Sequence, residues 1–361
     1  FNATTGNEVF AYVPTGLFPH LYKPSKALGY KHRLMADGQI TVAETGTAAS
    51  PEMTLVGGLG HGGKGYYALN VTNPNASAAN IVKWDISAAS PTYTNDLGYT
   101  FSKFQIAKLP GYTGHPQGLV GIFGNGYEST SGVAKLYVVN LNTGLPLASA
   151  TVSGGASNGL STPSVITVGN NLVAYAGDMN GNLWKFVISS SGAGATIATT
   201  ANKPLFDGST NQPITGRVAV TNHHPSSKDQ GALIAFGTGR YLTRDDHTDA
   251  SPSTQSFYVI GDYDATAQVT TSYTTSHLQE ISLVADNANP TYRFTSLPTE
   301  NGTTNTNYAD WNLDWFQGSD FANKDHGWYL NLPDSGERVI TQPYLFTPDT
   351  DEVTLANSGS N

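Results

Sequence analysis

The chain has 361 residues, of which 39 are glycine, and Asp, Glu, Lys and Arg together make up only 12%. Its formal net charge of −9 disfavours a general affinity for nucleic acid or for anionic membranes. Cysteine does not occur, which excludes disulfides, thiolate nucleophiles and cysteine-bound metals. The composition favours many short strands joined by tight turns over a bundle of helices.

Short apolar or alternating runs predict strands along the whole chain, and turn residues separate many of them. In chain order the predicted strands cover residues 9–13, 54–56, 66–71, 81–84, 104–109, 119–123, 135–140, 164–168, 172–176, 183–188, 217–221, 232–236, 256–260, 327–330, 338–341 and 353–356. Helical turns are indicated at residues 17–21 and 241–245. The sequence therefore predicts an all-β protein.

A repeated phrase indicates the architecture. The copies "KGYYALNV", "AKLYVVNL", "GNLWKFVI" and "TQSFYVIGD" each hold an aromatic residue, a short apolar stretch and a polar stop. An apolar strand that runs into a Gly-rich turn precedes each copy. A unit of about 40–50 residues with several strands is typical of a propeller blade. We predict one β-propeller domain over residues 1–361, with about seven irregular blades and insertions near 23–51 and 262–325.

The first six residues, "FNATTG", resemble only the tail of the internal phrases "LYVVNLNTG" and "YYALNVTNP". We therefore expect the chain to be a C-terminal fragment of a longer protein, with its signal peptide upstream. The first blade is expected to lack its initial strand. Either the ring tolerates this gap or residues 353–356 close it.

Motifs for phosphate binding and nucleophilic catalysis lack their structural context. Gly58, Gly60 and Gly63 fit G-x-G-x-x-G, but a strand follows where a phosphate-binding helix should begin. Ser157 lies at the centre of G-x-S-x-G, again without a helix after it. No catalytic residue is predicted, and a site assembled from distant blades would not be visible in the sequence.

Three acidic stretches are candidate cation sites, and one of them, Asp349, Asp351 and Glu352, is better read as a solvated acidic turn. "DMNGN" at residues 178–182 imitates the start of a calcium loop, but Leu183 and Ser189 occupy the positions that need Gly and Glu. A hairpin is the better interpretation. Asp245, Asp246 and Asp249 form a weaker alternative, because hard cations need six or more converging oxygens.

An aromatic cluster in the second insertion is the candidate ligand-binding site. It consists of Trp311, Asp314, Trp315 and Phe316. Exposed aromatic side chains favour interfaces, so the cluster suits a ligand platform with one carboxylate. Anchoring of the insertion onto the propeller is the alternative.

Eight stretches in order span nearly the whole chain. They are "GNEVFAYVPTGLFPHL", "TLVGGLGHGGKGYYALNVT", "DLGYTFS", "IFGNGYESTSGVAKLYVVNLNTG", "NGLSTPSV", "YAGDMNGNLWKF", "FGTGRYLTRDDHTDASPSTQSFYVI" and "GWYLNLPDSGERVITQP". Together they resemble the C-terminal propeller domain of the PilC/PilY family, the tip-associated adhesion and biogenesis proteins of bacterial type IV pili.

The resemblance implies a non-catalytic role in pilus assembly or in opposing pilus retraction, with contributions to surface attachment, twitching motility and virulence. It implies a location at the pilus tip or the outer-membrane surface. The partners that it implies are minor pilins or the pilus tip complex, and a host or abiotic surface receptor.

Calcium is the cofactor that the resemblance implies, and here the chain departs from the family. The family commonly carries a loop of the form D-x-[DN]-x-D-G-x-x-D between "STP" and "YAGD". In this chain the interval reads "SVITVGNNLVA", with no carboxylate from Val165 to Val173. Without anionic oxygens such a loop cannot offset the dehydration of a divalent ion. We therefore predict no calcium site in this interval and no other cofactor.

Two other classes stay open. One is a propeller dehydrogenase that uses pyrroloquinoline quinone, whose blades usually repeat a Trp-containing docking motif. Trp84, Trp184 and Trp328 lie in blade-like strands here, but their surroundings do not match one another. The other class is a scaffold propeller of outer-membrane assembly, which the charge and composition permit.

Overall fold

The structure is a computed structural model that describes residues 1–21, 34–152, 157–200, 202–223, 231–248, 252–285, 293–295, 299–300, 303–304, 326–346 and 354–356. The chain divides into two compact units. The first comprises Phe1–Val165, Asn170–Leu172 and Ile188–Ala201, and the second comprises Ile166–Gly169, Val173–Val187 and Asn202–Asn361. Whether they belong to one domain stays a prediction.

Two four-stranded antiparallel sheets lie in the first unit. The first sheet consists of β1 (Ile40–Glu44), β2 (Met53–Gly58), β3 (Gly65–Asn70) and β4 (Val82–Ser87), in that order. The second consists of β5 (Gln105–Lys108), β6 (Leu119–Gly124), β7 (Ala134–Asn140) and β8 (Pro146–Val152), also in chain order. Short helical segments occur at Thr15–His20, Gly60–Gly62 and α1 (Ala78–Ile81). Up-and-down sheets of this kind are the expected form of a blade.

A third four-stranded sheet has its residues divided between the two units. It consists of β9 (Ser164–Val168), β10 (Asn171–Gly177), β11 (Leu183–Ser190) and β12 (Ala195–Ala198), in the order β12-β11-β10-β9.

The described part of the second unit holds a five-stranded sheet, two short helical segments and three hairpin-like pairs. The larger elements are β13 (Ala219–His223), β14 (Gly231–Gly237), α2 (Arg244–Thr248), β15 (Ser256–Asp262), a 3-10 helix (Thr275–His277), β16 (Gln279–Ile281) and β21 (Gly327–Asn331). The pairs are β17 (Leu283–Ala285) with β18 (Arg293–Thr295), β19 (Thr299–Glu300) with β20 (Thr303–Thr304), and β22 (Tyr344–Phe346) with β23 (Thr354–Ala356). The large sheet has the order β13-β14-β15-β21-β16.

The aromatic residue of the repeated phrase is buried in every copy. Tyr66, Tyr137, Trp184 and Tyr258 are each 1% exposed. In the first unit Phe123 stacks on Tyr137 with ring centroids 5.3 Å apart, and in the second unit Phe236 stacks on Tyr258 at 5.0 Å. The repeat therefore marks the core-facing position of the third strand of each sheet.

The Gly-rich turn that precedes each aromatic phrase also has one structural cause. Gly58, Gly124, Gly177 and Gly237 are the last residues of β2, β6, β10 and β14. A Cβ atom on Gly124 would lie 2.2 Å from the carbonyl oxygen of Ser161, and one on Gly177 would lie 2.2 Å from Cγ2 of Ile214. The second strand of each sheet therefore ends where another segment passes too close for any side chain.

Two predicted strands are not strands in the structure, namely residues 9–13 and 338–341. The first of these segments is held by side chains, because Tyr12 and Thr15 donate hydrogen bonds to the carboxylate of Asp85 on β4. Alternating residues predicted a strand there, but none of the described strands pairs with the segment. Most other predicted strands coincide with observed ones.

Residues 1–21, which include the "FNATTG" segment, contain no strand, so the expected gap in the blade to which they belong stays a prediction. Strand β1 lies inside the predicted insertion 23–51 and completes the first sheet by pairing with β2. The described part of residues 353–356 pairs with β22 instead. Strand β1 was not predicted, and its apolar residues Ile40 and Val42 are about half exposed, as is common at a sheet edge. The described residues form four sheets of four or five strands, so seven blades stay a prediction.

Candidate functional site

A polar cavity of about 420 Å³ lies within the second unit. The turn after β10, the segment before β13, the connection from β14 through α2 to β15, and the segment after β21 line it. Three of its lining residues are apolar, namely Met179, Pro213 and Pro252. Loops carried by rigid strands are the usual location of binding residues in such folds.

Asp246 is the structural centre of one wall. Its Oδ2 accepts hydrogen bonds from the backbone N–H groups of Leu242 and Thr243, both at 2.8 Å, and from the Thr243 hydroxyl at 3.1 Å. Its Oδ1 accepts a hydrogen bond from Nε of Arg240 at 2.5 Å. Burial alone would raise the pKa of Asp246, but these donors and the charge of Arg240 lower the pKa below its usual value. Asp246 is therefore ionised and fixes the position of Arg240.

Arg338 joins two of the lining segments. Its Nη1 donates to the carbonyl oxygen of Arg240 at 2.7 Å and to that of Asp246 at 3.0 Å. Its guanidinium carbon lies 5.9 Å from the centroid of the Tyr241 ring, a distance typical of a cation–π contact. The segment after β21 is thereby tied to the α2 segment, which holds both walls in one arrangement.

Three lining side chains keep unused hydrogen-bonding capacity within the described ranges. Arg240 uses only Nε, and its side chain is 45% exposed. Asp245 is exposed, and its carboxylate has no hydrogen-bond partner there. Gln255 is 8% exposed, and its Oε1 accepts no hydrogen bond there. The cavity thus offers donors and acceptors together.

The orientation of the Gln255 amide is fixed by its neighbours. Its Nε2 lies 2.9 Å from the carbonyl oxygens of Asn211 and Ser253, and both of these atoms can only accept. Oε1 must therefore be the atom without a partner. Leaving a buried acceptor unsatisfied costs about 1–3 kcal/mol, which makes this atom a marker for a missing donor.

The acidic turn that was predicted as a possible cation site has a different role in the structure. Asp246 already accepts four hydrogen bonds, three at Oδ2 and one at Oδ1, so its carboxylate holds the turn and Arg240 in place. Asp245 lines the same cavity, while Asp249 lies outside the described residues. Within the described ranges, no group of three or more His, Cys, Asp or Glu side chains is arranged to hold a metal ion.

The other predicted ligand-binding residues cannot be placed. Trp311, Asp314, Trp315 and Phe316 all lie outside the described residues, and their role stays a prediction.

The interval Val165–Val173 does not fit the calcium ion that the family resemblance implies. It lies in the consecutive strands β9 and β10, joined by Gly169 and Asn170. Its side chains are aliphatic apart from Thr167 and two Asn residues, and none is a carboxylate. Calcium is bound by six to eight oxygens, mostly from carboxylates and carbonyls. The loss of the calcium site stays a prediction that solution measurements can test.

The "DMNGN" segment forms the predicted hairpin turn. Asp178 is fully buried, and its Oδ1 accepts hydrogen bonds from the backbone N–H groups of Asn180 at 2.9 Å and Asn182 at 2.8 Å. Its Oδ2 accepts a hydrogen bond from Nε1 of Trp184 at 2.8 Å. The carboxylate therefore stabilises the turn and anchors the repeated aromatic residue.

Sequence reading missed Arg240, Gln255 and Arg338 as site residues. Each lies in one of the last two stretches that carry the family resemblance, and Met179 lies in the stretch before them. The sequence could have indicated them through their location, because these polar residues lie next to turns inside the stretches that carry the family resemblance.

Four-stranded antiparallel sheets in chain order, each with a close-packed glycine at the end of its second strand, place the chain among the β-propellers. The family model described as "PilY1 beta-propeller domain" matches residues 7–296, and the chain belongs to this family. The predicted all-β propeller fold and the family resemblance are both confirmed.

Two relatives support this family assignment. The chain is 31% identical over 365 residues to "Type IV pilus biogenesis factor PilY1" of Pseudomonas aeruginosa strain PAO1, which covers 92% of the chain and 29% of that protein. It is 30% identical over 399 residues to "Type IV pilus biogenesis factor PilY1 homolog" of Xylella fastidiosa, which covers 99% of the chain and 24% of that protein. The chain therefore spans less than a third of the length of these relatives.

A solved structure supports the family assignment as well. The crystal structure of the Pseudomonas aeruginosa PilY1 C-terminal domain matches with a TM-score of 0.66 and 27% sequence identity, over 95% of this chain and 71% of that one. Among the described residues, no helix is both long and apolar enough to cross a membrane.

Proposed function

We propose that this chain is the propeller region of a type IV pilus biogenesis factor, and that it acts by binding other molecules without catalysing a reaction. The observation that supports the proposal is the 31% identity, over 92% of the chain, to a protein named as such a factor. The Xylella relative is named as a homolog of that factor, and the match covers 99% of the chain.

The proposed mechanism uses the division between sheets and loops. Buried aromatic residues such as Tyr137 and Tyr258 hold the strands, while the connections between strands are free to carry recognition residues. The region would act at the pilus tip or the outer-membrane surface. There it supports assembly or opposes retraction by contacting minor pilins or the tip complex. Contact with a host or abiotic surface would contribute to attachment and twitching motility.

The quinone-dependent dehydrogenase is less well supported. A docking motif repeated in most blades would give its Trp residues equivalent surroundings. Nε1 of Trp84 donates to the carbonyl oxygen of Leu141 at 2.9 Å, whereas Nε1 of Trp184 donates to the carboxylate of Asp178. The two indoles therefore serve different local structures. Dye reduction by the chain after incubation with pyrroloquinoline quinone would favour the enzyme over the biogenesis factor.

Deletion of the propeller region in the parent organism tests the proposal. The segment that corresponds to residues 7–296 is removed in frame, and surface pili are sheared from the cells and quantified by immunoblot. We expect fewer surface pili, with recovery when the retraction motor is also disabled. Complementation with the intact gene should restore the wild-type amount.

Each outcome has a distinct meaning. Recovery in the retraction-deficient background supports opposition to retraction, and continued loss supports a role in assembly. Normal piliation and normal twitching after the deletion would overturn the proposed function.

A further inference from the structure

The cavity of the second unit contains polar groups that the described residues leave without partners. The terminal nitrogens of Arg240, the carboxylate of Asp245 and Oε1 of Gln255 have no hydrogen-bond partners among the described residues. Of the three, only Gln255 is buried, at 8% exposed, and a buried polar atom without a partner calls for an explanation. Arg240 and Asp245 are open to solvent, so they are available to a ligand. A ligand that both donates and accepts hydrogen bonds would supply the missing partners.

The charges of the lining argue against a simple ion. Arg240 and Arg338 carry two positive charges, and Asp245, Asp246 and Glu337 carry three negative ones. A small anion would meet the carboxylates, and a small cation would meet the guanidinium groups, at short range in the same cavity. A neutral ligand avoids both repulsions.

Hydroxyl groups fit this lining best. Each hydroxyl donates one hydrogen bond and accepts up to two, so neighbouring hydroxyls can serve Arg240 and Asp245 at once. The apolar residues Met179, Pro213 and Pro252 of the same cavity provide a surface for C–H groups. A sugar ring has this combination, since its hydroxyls surround a ring whose faces carry C–H groups.

We propose that the cavity lined by Arg240, Asp245 and Gln255 is a binding site for a neutral saccharide. Its volume of about 420 Å³ falls within the range of small-molecule sites, about 300–1,000 Å³. A saccharide ligand goes beyond the proposed role in pilus assembly and retraction.

A zwitterionic peptide is the nearest alternative ligand, because its positive and negative charges could pair with the oppositely charged side chains of the lining. Peptides are commonly recognised through main-chain hydrogen bonds to an exposed strand edge. The neighbouring strands β14 and β15 are each paired on both sides, and the lining groups named here are side chains of loops and of the short helix α2. The arrangement therefore favours the saccharide.

Binding of sugars to the 361-residue chain tests the inference. The chain is titrated with neutral oligosaccharides of glucose, galactose, mannose and N-acetylglucosamine, and binding is followed by saturation-transfer NMR and calorimetry. Two variants probe the site, Asp245→Ala and Arg240→Lys, the second of which keeps the charge beside Asp246. Asp207→Ala is the matched control, since it removes an exposed carboxylate of the same unit that does not line the cavity.

We expect at least one neutral saccharide to bind. Both site variants should weaken binding about tenfold or more, as expected for a lost hydrogen bond to a charged group, while Asp207→Ala should leave it unchanged. Thermal unfolding monitors whether each variant is folded. Lack of binding at about 10 mM saccharide, equal affinity of Asp245→Ala and Asp207→Ala, or displacement of the sugar by a zwitterionic peptide would overturn the inference. Sugar binding is measured on the purified chain and piliation is measured in cells. The saccharide inference and the proposed function can therefore fail independently.

Discussion

Nζ of Lys185 lies 2.9 Å from Oδ2 of Asp262 in the interior of the second unit, and neither side chain is more than 5% exposed. Tyr175 donates a hydrogen bond to the same oxygen at 2.7 Å, and Lys185 also donates to the carbonyl oxygen of Asp264 at 2.9 Å. Burial, followed by the charge of Asp262, raises the pKa of Tyr175 well above its ordinary value, so the phenol stays a donor. The pair is thus a fully connected polar network within an apolar core.

Removing one partner of this pair should destabilise the second unit strongly. Lys185→Met leaves Asp262 buried with Tyr175 as its remaining side-chain donor, and an unpaired buried charge costs about 3–5 kcal/mol. The free energy of unfolding is measured by urea denaturation. The double variant Lys185→Met/Asp262→Leu should recover part of the loss, because it removes both charges. A single variant as stable as the wild type would show that the pair lies in contact with water.

The Arg240–Asp246 pair should make stability depend on pH. The pKa of Asp246 is lowered in the fold from its usual value of 3.8, so the folded state binds the proton less readily than the unfolded state does. Its stabilisation is therefore complete above about pH 5 and is lost as the pH falls below 3.8 through the lowered pKa. Asp246→Asn should cost about 1–3 kcal/mol at neutral pH, the typical cost of lost charge-assisted hydrogen bonds. Denaturation of both proteins from pH 7 to pH 3 checks this, and a difference independent of pH would contradict it.

The sequence was sufficient to predict features that recur. An aromatic residue such as Tyr137 or Trp184 in an apolar run must be buried, and a repeated apolar strand that ends in Gly indicates close packing at each copy. Short-range features were predictable as well, since the Asp178 turn uses donors within six residues along the chain.

The cavity could not be predicted, because its parts are distant in sequence. Arg338 contacts the carbonyl oxygen of Arg240 across 98 positions of the chain, and no local pattern specifies such a contact. The role of Asp246 was missed for a different reason. A cluster of carboxylates looks like a cation site until the backbone donors of Leu242 and Thr243 are placed around it.

Calcium should leave the thermal stability of this chain unchanged. The interval Val165–Val173 has no carboxylate, and the Asp246 carboxylate already accepts four hydrogen bonds from its own turn and from Arg240. A ligand present at 1,000 times its Kd would stabilise the fold by about 4 kcal/mol, which shifts the unfolding temperature by several degrees. Unfolding curves recorded with about 1 mM calcium and with a chelator should therefore coincide. A rise of several degrees with calcium would show a micromolar site and contradict the prediction.

Replacing Gly124 with alanine should destabilise the first unit. The new Cβ would lie 2.2 Å from the carbonyl oxygen of Ser161, so the backbone of one segment must move. Overpacking of this kind costs about 1–3 kcal/mol. Gly216→Ala is the comparison, because its nearest atom is the carbonyl oxygen of Thr341 at 3.3 Å and only a small adjustment is needed. Urea denaturation should show a clearly larger loss for Gly124→Ala, and equal losses would mean that close approach is not the reason for the glycine that ends the second strand of each sheet.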